Sequence, residues 1–165
     1  MPELFVDTAG WVCHLDASQP QHAAASTLLG VCLAEGTRLL TTNYVLIELV
    51  ALLNSRRRVP RGDMIAGIDA IRTWQHATIV HVDPAIDAAA WALLKSRPDK
   101  RGSLTDCVSF EVMRQRGVRE ALTTDHHFEQ AGFVRLLKPD GRLSRAALLH
   151  RRRPVIILPR LSRKV

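Results

Sequence analysis

Apolar positions along the chain switch repeatedly between a strand-like run and a helical period, and the switches mark out an alternating series of elements. Glu3–Val6 reads as a short, mostly apolar strand closed by Asp7, and Thr8 to Asp16 as a helix. A stronger helix follows over His22 to Glu35, with Ala24, Leu28 and Val31 at helical spacing and Gly36 as its stop. Arg38–Thr41 reads as a second strand, with Asn43 as N-cap of a helix over Tyr44–Asn54. The run Arg56-Arg57-Arg58-Val59-Pro60 breaks the pattern. It restarts as a helix from Asp63 to His76 carrying Met64, Ile68, Ile71 and Trp74. Thr78–Val82 is a β-branched strand, Pro84 opens a helix through Leu94, and Lys95–Gly102 is a polar loop. A helix over Leu104–Arg116 ends at Gly117, followed by a strand over Glu120–Thr123, a helical turn at 126–131 and a last strand over Phe133–Leu137.

Strands alternating with helices predict a mostly parallel sheet flanked by helices. In such sheets ligands bind beyond the carboxyl ends of the strands. The size, 165 residues, fits one domain with a real core. Cys13, Cys32 and Cys107 are widely spaced and odd in number, without CxxC or Cys/His ligand spacing, so neither a disulfide frame nor a structural zinc site is expected. A reducing cytosol is the simplest home. The start, MPELFVDTAG, has no basic segment leading into a long apolar stretch, and no run of 18 apolar residues occurs, so neither a signal peptide nor a membrane span is expected.

Charge is unevenly placed. Residues 1–134 carry 13 Lys/Arg against 15 Asp/Glu, whereas 135–165 carry 10 Lys/Arg against Asp140 alone. The net +7 therefore resides in the last 31 residues, and a basic tail on a near-neutral body suits a polyanion such as nucleic acid, or else a solvated extension. Val155–Leu158 is an apolar run between basic clusters, suited to an edge strand or to a partner surface.

Four acids interrupt apolar sequence: Asp7 in ELFVDTAGW, Glu48 in TTNYVLIELVALL, Asp106 in SLTDCVSF and Asp125 in ALTTDHHF. An unpaired charge in such surroundings is costly. Carboxylates gathered around a hard divalent ion form a recurring site for phosphodiester chemistry. Each acid also has a plainer reading. Asp7 suits an N-cap, Ser103-x-x-Asp106 resembles a capping box, and Asp125 suits a cap of the 126–131 turn. Glu48 is the hardest to explain that way, because its neighbours three and four positions off are Tyr44, Val45, Ala51 and Leu52. His126 and His127 suggest a metal pair, but adjacent side chains usually point apart, so contact with a phosphate, proton transfer or a surface position is expected instead. Asp99 reads as an ordinary loop acid at the margin of the set.

Taken together, FVDTAGW, TTNYVLIELVALL and SLTDCVSFEVMRQRGVREALTTDHHFEQAGF resemble the PIN domain family, and especially its VapC-type ribonuclease toxin branch. The resemblance covers roughly 3–137, giving a PIN-like nuclease domain over 1–139 and a basic C-terminal extension over 140–165. It implies an α/β three-layer sandwich with a mostly parallel central sheet. It also implies an Mg²⁺- or Mn²⁺-dependent endoribonuclease in which Asp7, Glu48, Asp106 and Asp125 form the catalytic and metal-binding set. Asp7, Asp106 and Asp125 would hold the ion directly or through water, and Glu48 would orient or deprotonate the attacking water. Thr8, Asn43, Ser103, Thr105 and Thr124 are candidate donors that orient the carboxylates. Arg56, Arg57, Arg58 and Arg61, with Lys100, Arg101 and the tail, are candidate phosphate contacts on RNA. With eight aromatics no stacking platform is evident. The resemblance further implies a cytoplasmic toxin of a type II toxin–antitoxin pair and a homodimer. The cognate antitoxin would cover an apolar groove around Trp11, Leu15 and Leu52. Competing readings are a phosphatase, which Ala9 two residues after Asp7 disfavours, a phosphoaspartyl receiver, for which no early acidic pair or Lys near the last strand is clear, and a non-catalytic RNA- or partner-binding module.

Overall fold

The computed structural model describes residues 1–55, 59–96, 102–138, 140 and 142–144. The arginine triplet 56–58, residues 97–101 and nearly all of the basic extension therefore lie outside the described residues. Five strands, β1 (Glu3–Val6), β2 (Arg38–Thr42), β3 (Ala77–Val80), β4 (Glu120–Leu122) and β5 (Val134–Arg135), form one sheet in the order β3-β2-β1-β4-β5. All four pairings are parallel. An isolated antiparallel bridge, Leu137 to Leu143, follows β5. The helices are α1 (Thr8–Leu15), α2 (His22–Ala34), α3 (Asn43–Ser55), α4 (Arg61–Thr73), α5 (Pro84–Ser96), α6 (Leu104–Arg116) and α7 (His127–Gln130). The expected α/β architecture is what the chain adopts.

The strand order carries the functional geometry. From β1 the chain runs outward to β2 and β3, then returns to lay β4 on the other side of β1. Loops leaving β1 and β4 thus diverge, which opens a crevice at their carboxyl ends. The central strands are inaccessible on both faces: Phe5, Val6, Leu39, Leu40, Ala121 and Leu122 are fully buried, as parallel sheets covered by helices require. Trp11 of α1 is fully buried too, its indole N–H donating to the Thr41 hydroxyl (3.2 Å), which in turn donates to the Val6 carbonyl (2.9 Å). Beneath α6 and α7, Phe128 packs edge-on to Phe110 (centroids 5.0 Å apart), and Phe110 stacks on Phe133 (5.6 Å).

Some boundaries move for identifiable reasons. Asn43 is not the N-cap of α3 but lies within the helix; Thr42 caps it, its hydroxyl accepting the Val45 N–H (3.1 Å). The Asn43 side-chain oxygen instead accepts the Val82 N–H (2.9 Å), tying α3 to the segment after β3. The Val82 N–H is thus taken by a side chain rather than by the ladder, and β3 closes at Val80. Helix α4 starts two residues early at Arg61 behind Pro60 and ends at Thr73, because Trp74 turns extended and packs against Trp11. Helix α6 keeps its expected limits, with a capping box at Ser103 and a left-handed Gly117 (φ 67°) closing it.

Gly10 fixes how closely α1 approaches the sheet. A Cβ at this position would lie 2.0 Å from the backbone oxygen of Leu122, which cannot move without breaking β4. Gly10→Ala is expected to lower stability by about 1–3 kcal/mol or more from overpacking, read as a fall in urea midpoint. An unchanged midpoint would mean that α1 is not held against β4 in this way.

An acidic crevice at the sheet switch point

Four segments deliver the four sequence-selected acids to one crevice of about 460 Å³, lined by Asp7, Thr8, Glu48, Ala51, Leu52, Ser55, Ser103, Asp106, Asp125 and His127. Asp7 leaves β1 beside Thr123, since Val6 pairs with Leu122 in the β1–β4 ladder. It stands at the N-cap position of α1, yet its side chain makes no capping bond. One carboxylate oxygen accepts the Thr123 hydroxyl (2.9 Å), and the other is buried with no hydrogen-bond partner. Burial raises the Asp7 pKa most, to about 7, followed by repulsion from Asp106 and, more weakly, Glu48; the Thr8 backbone N–H and the Thr123 hydroxyl oppose the rise.

Asp106 combines both of its sequence-level readings. Its carboxylate accepts the Ser103 N–H (2.6 Å) while the Ser103 hydroxyl accepts the Asp106 N–H (3.1 Å), and the same buried side chain lines the crevice. Burial is again the largest influence raising its pKa, opposed by the Ser103 bonds and reinforced by Asp125 and Glu48. Glu48 is half-buried rather than buried, and its carboxylate accepts the Thr8 hydroxyl at 2.6 Å. Asp125, also half-buried, accepts the His127 N–H (2.8 Å), so it does cap the following turn while facing the crevice. Among the described residues no Lys or Arg pairs with Asp7, Glu48 or Asp106. An all-oxygen donor set with one orphaned buried oxygen and excess negative charge fits a hard divalent cation.

Of the other candidates, Thr8 and Ser103 bond to acids as expected. Asn43 does not, and Thr105 and Thr124 contribute only backbone carbonyls, to Ser109 and Arg135. Arg61 is exposed at the start of α4 and does not line the crevice. Arg56, Arg57, Arg58, Asp99, Lys100 and Arg101 lie outside the described residues. His126 and His127 do not point apart: their rings lie 4.3 Å centre to centre and both turn Nδ1 toward Asp125. The expected apolar groove divides in two. Trp11 and Leu15 line a separate cleft of about 450 Å³ with Ile71 and Trp74, whereas Leu52 lines the acidic crevice.

Two residues that sequence reasoning passed over hold the site. Thr123, fully buried, bonds to Asp7 and also accepts the Asp125 N–H (3.0 Å), linking two acids 118 positions apart. Its signal was a hydroxyl at a strand end two residues before an acid, but its tie to Asp7 depends on the β1–β4 register. Arg135 on β5 donates to the Thr124 carbonyl (2.9 Å) and pairs with Glu129 (3.0 Å), gripping both ends of the loop that carries Asp125. Nothing local in the sequence marks it.

The sequence profile of the PIN domain matches residues 4–134, and the chain belongs to the PIN domain family. Within that class it is similar to the 23S rRNA-specific endonuclease VapC20 of Mycobacterium tuberculosis, at 34% identity over 131 residues, 79% of this chain and 95% of that protein. The crystal structure of M. tuberculosis VapC20, described as a Sarcin-Ricin loop cleaving toxin, aligns with a TM-score of 0.71 at 33% identity, covering 79% of this chain and 96% of that one. Among the described residues no helix is long and apolar enough to cross a membrane.

Two outcomes follow from this geometry. The unfolded chain returns Asp7 to the ordinary range near 3.9, so between about pH 4 and 7 the folded form binds the extra proton. Metal-free protein is therefore more stable at pH 5 than at pH 8, by at most roughly 2.5–3 kcal/mol from this group. Asp7→Asn is expected to be more stable than the parent at pH 8 in EDTA, with a flatter profile across this range; identical profiles would contradict the buried, unpaired carboxylate. Arg135→Ala is expected to cost about 1.5–3 kcal/mol and to speed amide exchange across 124–129. Exchange left unchanged there would show that the loop is held by other contacts.

Proposed function

We propose that the chain is a metal-dependent endoribonuclease and the toxin of a type II toxin–antitoxin pair, with Asp7, Glu48, Asp106 and Asp125 as its catalytic and metal-binding residues. The observation that carries this reading is the convergence of four carboxylates on one crevice, with a buried Asp7 oxygen left unpaired. Asp7, Asp106 and Asp125 would hold Mg²⁺ or Mn²⁺, directly or through water. When bound, the ion positions a water, lowers its pKa and offsets charge on the phosphate.

The chain's own residues set the geometry for that chemistry. Thr123 locks one Asp7 oxygen and leaves the other free for the crevice. The Ser103 amide fixes Asp106 at the start of α6. The Thr8 hydroxyl donates to Glu48 at the crevice, where this carboxylate would orient or deprotonate the attacking water. RNA is held by phosphate contacts that do not choose bases. The arginines at 56–58 follow directly on Ser55, which lines the crevice, and supply such contacts with Arg61 and the basic extension over 140–165. The nuclease body spans 1–139, acts in the cytoplasm as a homodimer and is restrained by a cognate antitoxin; these assignments rest on membership of the PIN family and likeness to VapC20. The relatives' named substrate makes 23S rRNA, at its sarcin–ricin loop, the first RNA to test.

Purified, antitoxin-free protein is expected to cut ribosomal RNA into discrete fragments with Mg²⁺ or Mn²⁺ and not with EDTA. Asp7→Asn and Asp106→Asn are expected to lose at least 100-fold in rate while still binding RNA in gel shifts. Absence of cleavage by folded protein with either ion, alongside retained RNA binding, would replace this reading with a non-catalytic binding module.

A further inference from the structure

Asp125, His126 and His127 bring one carboxylate oxygen and two imidazole nitrogens within 4.8 Å of one another at the rim of the crevice. His127 Nδ1 lies 2.8 Å, and His126 Nδ1 3.6 Å, from the same oxygen, Oδ1 of Asp125. The shorter contact has the length of a hydrogen bond but not its direction: His127 Nδ1 is shielded from solvent and has no hydrogen-bond partner. Oδ1 is meanwhile engaged by the His127 backbone N–H. Two donors bound to one ion at about 2.1 Å each stand roughly 3.0–3.4 Å apart at octahedral or tetrahedral angles. The two observed separations bracket that range. Neither separation lies inside it, but each is within about 0.2 Å of a limit, so small side-chain shifts would bring both nitrogens and Oδ1 around one ion.

We propose that Asp125, His126 and His127 form a second cation site, for a first-row transition dication of the Zn²⁺ class, distinct in chemistry from the all-carboxylate site. Imidazole nitrogen favours Zn²⁺, Co²⁺ and Ni²⁺ over Mg²⁺, whereas carboxylates favour Mg²⁺ and Mn²⁺. His127 also lines the crevice, and His126 is 60% exposed, so the site opens to solvent on its His126 side, where water or a phosphate oxygen would complete the ligand set. Asp125 belongs to both donor sets and therefore couples them: an ion held through Oδ1 competes for the carboxylate that the proposed catalytic ion needs. Occupancy by zinc would then slow magnesium-supported cleavage. That coupling rests on the proposed function; binding of the ion does not.

The direct test is titration of metal-free full-length protein with Co²⁺, followed by its d–d absorption, and with Zn²⁺ by calorimetry in the presence of excess Mg²⁺. One Co²⁺ with a nitrogen-containing spectrum is expected, displaced by Zn²⁺ and not by Mg²⁺. The double variant His126→Ala/His127→Ala is expected to weaken Co²⁺ and Zn²⁺ at least 10-fold while keeping its circular dichroism and its Mn²⁺ affinity. Asp7→Asn, which alters only the carboxylate site, should leave the Co²⁺ spectrum intact. Equal Co²⁺ affinity in the double variant, or loss of the spectrum in Asp7→Asn, would overturn the site. If RNA is not cleaved at all but the histidine-dependent spectrum is present, the proposed function falls and this site stands.

Discussion

A carboxylate almost wholly shielded from water, set at the point where two parallel strands diverge, is the constraint around which the described structure is arranged. Asp7 is almost wholly buried, its pKa is raised to about 7 and one of its oxygens has no partner. Burial of such a group costs free energy that packing alone does not recover. The surrounding residues reduce that cost only in part: Thr123 gives one hydrogen bond, while Asp106 and Glu48 add repulsion. A site left this unfavourable in isolation is poised to gain stability from a ligand of positive charge, because anything that binds only the folded form shifts the equilibrium toward it.

The scaffold supplies what that constraint demands, which is precision without flexibility. Each acid is held by a group on a different element or at a helix start. Thr123 past β4 holds Asp7, Thr8 on α1 holds Glu48, the Ser103 amide holds Asp106, and the His127 amide holds Asp125. Gly10 lets α1 lie against the Leu122 carbonyl, so the β1 and β4 loops sit close enough for one threonine to serve two of the acids. Arg135 then restrains the loop between Thr124 and Glu129 from behind. These contacts cross three strands of the sheet, and their alignment depends on the β1–β4 and β4–β5 registers.

The polar crevice and the apolar cleft are separated on the molecule. The acidic crevice opens at the carboxyl edge of the sheet, whereas the cleft between α1 and α4 is walled by Trp11, Leu15, Ile71 and Trp74. Leu52 faces the first rather than the second, so chain proximity between helices does not make one continuous groove. Positive charge is concentrated past residue 134, while the body that holds the crevice is close to neutral.

What the sequence determined by itself is what local physics encodes. Helical and strand periods, Gly36 and Gly117 as stops, and the Ser103–Asp106 capping box follow from residues a few positions apart, and α6 accordingly has its expected limits. The four acids were legible because each interrupts an apolar run, a local inconsistency that points to a site. Only the tertiary structure decided how they are served. The Thr123–Asp7 bond spans 116 positions and the Asn43–Val82 bond 39, and each exists only once strands are paired in register. Likewise, that His126 and His127 turn to the same oxygen depends on the tight turn capped by Asp125 and packed through Phe128, not on their adjacency in the chain. Local pattern fixes which residues resist an ordinary environment; long-range pairing fixes which neighbours they receive instead.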